Sequence, residues 1–334
     1  MGRRADERGR EAVGQGLALA CGLAGGIALD AVFGDPRRLH PVAGFGRFAS
    51  VVESRLYADS HGAGARFAAV AVGAPVAMAI VAERVVRRRP GLRALLVAAT
   101  TWAVVGGTGL RREAAALAEA LGGGDLAAAR VRLPHLCGRD PSALGEKDIA
   151  RATVESVAEN TSDAVVAPLI WGAVCGIPGL VGYRAVNTLD AMVGHRSARY
   201  ARFGTASARL DDVANLLPAR LTAVLTVLAA PIVGGSPRRT LRVWWRDRAN
   251  HPSPNSGQCE AAAAGALDVR LGGRSVYAGR AEDRPLLGDG PPPTVADIGR
   301  AARLSAVVAV GAAGVAGGTA ILGARLRARG RGRR

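Results

Sequence analysis

Lysine is nearly missing from this chain. Of 44 lysines and arginines, only Lys147 is lysine. A phosphate loop of the form G-x-x-x-x-G-K-S/T is therefore absent. Nucleotide phosphates would have to be met by arginine or metal, and a Schiff base could form only at Lys147. Aromatic residues make up 4% of the chain. With no recognition motif and so little stacking surface, nucleic acid is an unsuitable partner despite a net charge of +17. The four cysteines, Cys21, Cys137, Cys175 and Cys259, show no metal-ligand spacing, which argues against a zinc site or a disulfide framework. Cys21 and Cys175 lie in apolar stretches and suit small buried hydrophobes. No internal repeat is visible.

What the chain has is long apolar stretches separated by charge. About Val13–Phe33, Ala94–Leu110, Ala164–Val181, Leu216–Gly235 and Leu304–Gly323 approach membrane length, and Phe67–Ala82 is a shorter sixth. All are rich in alanine and glycine, which lets membrane helices approach closely. Val13–Phe33 follows four arginines like a secretory leader, but its length and the bracketing Asp30 and Asp35 favour a retained first helix. Basic clusters at 84–93 and 325–334 flank apolar segments, as orientation and anionic lipid would require. The predicted fold is all-α: a polytopic helical membrane bundle, one domain over 1–334, with basic tails at 1–12 and 324–334. Arg111–Leu133 is expected to be an amphipathic helix pair broken at Gly122–Gly124.

Arg151, Glu155, Glu159 and Asp163 recur every fourth residue and share one helical face. Like charges so spaced cost a helix about 0.2–0.5 kcal/mol per pair. Near a membrane, uncompensated charge costs more. Either a cation, such as Mg²⁺ held by the hard oxygens of Glu155, Glu159 and Asp163, lies against them, or bridges to Arg151 and Arg139 neutralise them. Asn160 adds an amide or a turn residue.

Two more polar groups interrupt apolar sequence. Asn187, Thr188 and Asp190 form one; Asp211, Asp212 and Asn215 form the other, with helix capping a competing role for Asp212. His40 and His251 each precede proline, and His195 follows a glycine; loop histidines commonly cap or face solvent. Ser253 and Asn255 offer donors for an anion or amide, or make a proline turn. Gly272–Gly273 is either a phosphate loop or, more simply, a tight turn. Strict alternation of spans would put 139–163 and 183–215 on opposite membrane faces. A shared site requires 164–181 to be re-entrant, or broken at Pro168 and Pro178.

Six motifs occur in a familiar order: Gly34 to Val42, Gly138 to Asp140, Arg151 to Asp163, Tyr183 to Gly194, Ala208 to Asn215, and Ser253 to Gly257. Over about 20–290 the chain resembles the CobD/CbiB family of cobalamin biosynthesis, the adenosylcobinamide-phosphate synthases. It departs from that pattern at His195, where an aromatic residue is expected, and in the plain run Ala261–Ala264.

The resemblance implies a multi-pass cell-membrane ligase with its site on the cytoplasmic side. It would join the free propionate of the corrinoid adenosylcobyric acid to (R)-1-amino-2-propanol or its O-phosphate. ATP and Mg²⁺ are the implied cofactors, with an acyl-phosphate intermediate. The lipid bilayer and other enzymes of the pathway are the implied partners. The residue roles that fit are Arg139 and Arg151 for the transferring phosphoryl group, and Asp190 or Asp211 to take the amine's proton. His40, Asn160, Asn187, Asp212, Asn215, Ser253 and Asn255 would bind substrate. Glu155, Glu159 and Asp163 would bind metal. A polytopic transporter of an organic anion is the competing class; repeat symmetry would mark it.

Overall fold

A computed structural model describes residues 2–35, 40–195, 197–277 and 280–332. Part of the Gly34–Val42 motif, at 36–39, lies outside these, as do the ends of both basic tails. In chain order the helices are α1 (Gly2–Phe33), α2 (Pro41–Leu56), α3 (His61–Val86), α4 (Pro90–Val104), α5 (Gly107–Gly122), α6 (Leu126–Arg132), α7 (Glu146–Thr161), α8 (Ala167–Cys175), α9 (Ile177–Leu189), α10 (Thr205–Ala229), α11 (Pro237–Asp247) and α12 (Ser256–Leu267). An antiparallel hairpin of β1 (Leu271–Tyr277) and β2 (Arg280–Leu287) follows, then α13 (Val295–Gly332). The protein is all-α apart from that hairpin. Among the described residues, five segments are long and apolar enough to cross a membrane: Val13–Phe33, His61–Val86, Pro90–Gly122, Thr205–Val233 and Val295–Ala328. The shortest expected span, Phe67–Ala82, thus belongs to a full-length helix.

The chain forms two compact units, with boundaries inside α10 and α13. The first takes 1–106, 167–214 and 312–334; the second takes 107–166 and 215–311. In the first, α1 packs on α4 through Gly22 and Gly26, four residues apart. A Cβ at either would fall within 2.6 Å of Val97 or Thr101 side-chain atoms, so only glycine admits this approach. Phe67, Phe203, Leu189 and Val193 build a second core there.

The segment 164–181 is the expected span that the structure breaks. A π turn, Ser162–Val166, precedes α8, and the chain reverses at Gly176. Gly176 has φ +68°, open to glycine and strained for other residues. Leu180 folds back onto Gly172, and the Trp171 carbonyl would lie 2.0 Å from a Cβ on Gly179. Of the two prolines where the sequence offered a break, Pro178 sits in the first turn of α9, where proline is welcome. The Glu83 carboxylate, paired with Arg93 at 2.6 Å, accepts the Ile177 backbone N–H at 3.1 Å and closes the start of α9.

In the second unit α5 and α6 form the expected amphipathic pair, separated by Gly124 at φ +74°. Leu117, Leu133, Ile149, Leu267, Leu271 and Leu287 are fully buried there. The polar stretch after the fourth span contains α11, α12 and the hairpin.

Candidate functional site

The carboxylates of α7 are held apart by their partners. Glu155 is 3% exposed. Its Oε2 accepts from Arg139, and its Oε1 accepts the Gly272 backbone N–H at 2.7 Å. Arg151 donates to the Gly272 carbonyl, to the Arg274 carbonyl at 2.8 Å and to Asp148 at 3.2 Å. Gly272–Gly273 is thus neither a phosphate loop nor a free turn. It is a bulge in β1 clamped to α7, with Gly272 at φ +83°. A Cβ at Gly272 would meet the Pro285 carbonyl at 2.1 Å. Arg151, expected at the phosphoryl group, anchors the hairpin through these carbonyls.

Glu159, half-buried, accepts from the Ser256 hydroxyl at 2.6 Å. Asp163 sits in the π turn, where the α-helical register ends. Among the described residues, no three His, Cys, Asp or Glu side chains gather as ligands for an ion. As these side chains stand, the three carboxylates expected to hold one Mg²⁺ do not form a single ligand set. Glu155 already spends its oxygens on Arg139 and Gly272, and the three carboxylates do not converge.

Three residues given little or no weight in the sequence complete this cluster. Glu260 of α12 is 1% exposed, with His251 Nε2 at 3.7 Å from its Oε1. Arg284 of β2 approaches the same nitrogen at 3.5 Å. His251 Nδ1 accepts the Ser253 N–H at 3.0 Å, so in the neutral ring the proton sits on Nε2, facing Glu260. Burial, and then the Arg284 charge, hold the His251 pKa below its ordinary value. Burial, reinforced by the Glu155 and Glu159 charges, pushes the Glu260 carboxyl well above the usual range, toward its protonated form. The signal in the sequence was present: Glu260 is the single charge in Ser256–Leu267, a helix whose residues are all buried. Cys259 beside it is also sealed, its thiol pushed up by burial and then by Asp163.

Ser253 and Asn255 meet at the start of α12. The Ser253 hydroxyl accepts the N–H groups of Asn255 at 3.3 Å and Ser256 at 3.2 Å, while Asn255 is buried at the cap. Asn160 turns its amide back to the Ser156 carbonyl of its own helix, at 2.9 Å. Asn215 is buried in α10.

The other expected site residues belong to the first unit. Asn187 donates to Asp211 at 3.3 Å and accepts from Arg184 at 3.5 Å. Asp190 opens a second π turn, and its carboxylate lies over Gly194, where a Cβ would clash at 1.8 Å. Asp212 cannot be an N-cap, because α10 already begins at Thr205. His40 is one: its Nδ1 accepts the Val42 N–H at 3.2 Å at the start of α2. His195 stacks edge-on with Tyr200.

Comparison with known proteins agrees with the motif order. The family model described as CobD/Cbib protein matches residues 23–305. A "Cobalamin biosynthesis protein CobD" of Mycobacterium tuberculosis (strain ATCC 25618 / H37Rv) is 54% identical over 297 residues, covering 88% of this chain and 93% of that protein. Proteins of the same name from Geobacter metallireducens and Chromobacterium violaceum are 46% and 43% identical, over 79% and 83% of this chain and 84% and 89% of their own. No solved structure matches significantly. With a family model covering most of its length and relatives above 40% identity, this chain belongs to the CobD/CbiB family.

Proposed function

We propose that the protein acts in cobalamin biosynthesis as an amide ligase. It joins the free propionate of adenosylcobyric acid to (R)-1-amino-2-propanol or its O-phosphate. The observation that carries this reading is the set of buried Arg139, Glu155, His251 and Glu260 with half-buried Glu159 and Arg284, in a chain of this family. Forming an amide from a carboxylate and an amine at neutral pH is uphill, so ATP is the expected source of drive. Magnesium would enter with the nucleotide phosphates and at most one or two carboxylates, since a three-carboxylate site does not fit.

The residues have distinct tasks in this scheme. Arg139 is fixed by Glu155, and Arg284 faces His251; their charge supports the carboxylate as it is activated and the phosphate as it leaves. Glu159, at the half-exposed edge of the set, accepts the proton that the amine gives up on attack. Glu260, neutral and beside His251 Nε2, serves as hydrogen-bond donor and proton source for the leaving group. Two carboxyls with such different surroundings suit opposite halves of proton transfer. Asp190 and Asp211 were expected as the proton acceptor, but the cluster on α7 and α12 offers the better supported one.

A strain lacking its own copy of this gene and blocked after cobyric acid tests the reading. Rescue by added cobinamide, with no rescue by excess cobyric acid, is expected for the ligase. Restoration of growth by raised external cobyric acid alone would point to transport and overturn it.

A further inference from the structure

Helix α11 has two unlike faces. Its inner side, Thr240, Val243 and Asp247, is buried, with Gly265 of α12 within contact distance of Thr240 and Val243. The Trp244 indole N–H donates to Gln258 of α12 at 3.0 Å, and the Asp247 carboxylate accepts the Gly288 N–H at 2.8 Å. The helix is therefore locked in rotation. Its outer side carries Leu241 and Trp245, one turn apart and 49% and 67% exposed. Arg238 and Arg242 flank them on the same face. Neither makes an ion pair among the described residues, whereas Arg239 and Arg246 are paired with Asp268, Asp247 and Asp289. Arg248 lies 3.4 Å over the Trp245 ring and keeps the indole in place.

Position in the chain says what meets this face. The candidate span Thr205–Val233 ends three residues before α11 begins. Its last turns expose Leu228 at 69% and Ile232 at 54%, as a lipid-facing helix does. Gly234 at φ +75° then turns the chain directly into α11. A short helix next to a span, with tryptophan and leucine outward and unpaired arginines beside them, has the chemistry of the headgroup boundary. We propose that α11 lies in the membrane interface, with Leu241 and Trp245 at the acyl boundary and Arg238 and Arg242 on the phosphates of anionic lipid. This surface does not depend on the proposed reaction. It gives α12, which carries Glu260, a mechanical link to the bilayer.

The test uses the full chain in nanodiscs of phosphatidylcholine, with or without phosphatidylglycerol. Lipids brominated near the headgroup should quench the native protein more than Trp245→Phe. Arg238→Gln with Arg242→Gln should lower the preference for phosphatidylglycerol by about fivefold per arginine. A second variant leaves Trp245 in place: Leu241→Trp adds an indole one turn away, and stronger quenching by the brominated lipid than in the native protein is expected. If Trp245 is quenched by aqueous acrylamide and not by brominated lipid, α11 faces water and waits for a protein partner, and the proposal fails. Equal binding of both lipids by the native protein would also overturn it.

Discussion

The Arg139–Glu155 pair offers the sharpest quantitative test of the cluster. Both side chains are about 5% exposed, so neither charge is well solvated. Glu155→Gln keeps the volume, and the new amide oxygen can still accept the Gly272 N–H. What is lost is the charge facing Arg139. Removing one partner of a buried pair costs about 3–5 kcal/mol, because the other charge is left uncompensated. Glu260 moderates the loss, since the Glu155 charge is one cause of its raised pKa. Once Glu155 is uncharged, Glu260 can ionise more easily and partly replace it. The expected cost is therefore at the low end, about 3 kcal/mol. For a unit of this size that lowers Tm by about 6–12 °C. Thermal unfolding of the detergent-solubilised protein, followed by circular dichroism, measures it. Arg139→Gln alone should cost at least as much, while the double variant should recover part of the loss, because no lone buried charge remains. If Glu155→Gln costs less than about 1 kcal/mol, or if the two costs simply add, the pair does not carry the charge balance argued here.

Other consequences follow from the same geometry. Gly272→Ala puts a Cβ against the Pro285 carbonyl at a positive φ and should cost about 1–3 kcal/mol, detected as faster proteolysis of the hairpin at 271–287. The Glu260 carboxyl is raised in the folded state, so its contribution to stability is full below its unfolded value of 4.5 and is lost as pH rises from there toward the folded value. Glu260→Gln, always neutral, should therefore gain stability relative to the native protein as pH is raised above 4.5, in paired denaturation curves. Cys259, buried and with its thiol pushed up, should react with maleimide only after unfolding, as mass spectrometry of labelled peptides would show. Gly176→Val forces a branched residue into φ +68° beside the Glu83 carboxylate. It should destabilise the α8–α9 reversal by at least about 1 kcal/mol, read as a lowered Tm in detergent.

Much of the fold was legible because membrane spans are set by length and hydropathy, both local properties. The break in 164–181 was legible from topology, but its location was not. Proline suggested the place, while the positive φ at Gly176 made the turn. The hairpin was hidden because β1 is held by Arg151 and Glu155, over a hundred residues earlier. The same distance hid the site. Arg139, His251, Glu260 and Arg284 come from four separate segments, and no spacing rule links them. Sequence reasoning found Glu155 and Glu159 by their stripe, and read their repulsion as calling for either a cation or bridges to Arg151 and Arg139. In the structure Arg139, Gly272 and Ser256 relieve that repulsion one carboxylate at a time. Asp163 and Asp190, marked as polar interruptions, each lie in a π turn, a backbone form often found at functional sites and invisible to i, i+4 patterning.

The most direct measurement is reconstitution of the reaction with purified components. Protein in detergent would be incubated with adenosylcobyric acid, aminopropanol or its phosphate, Mg²⁺ and ATP, and the corrinoid followed by mass spectrometry. The account predicts a mass gain equal to the amine minus water, with matching phosphate release. It also predicts loss of that product in Glu159→Gln and Glu260→Gln proteins that unfold like the native one. An unchanged corrinoid mass in the presence of folded native protein and both substrates, or full activity in both variants, would contradict it.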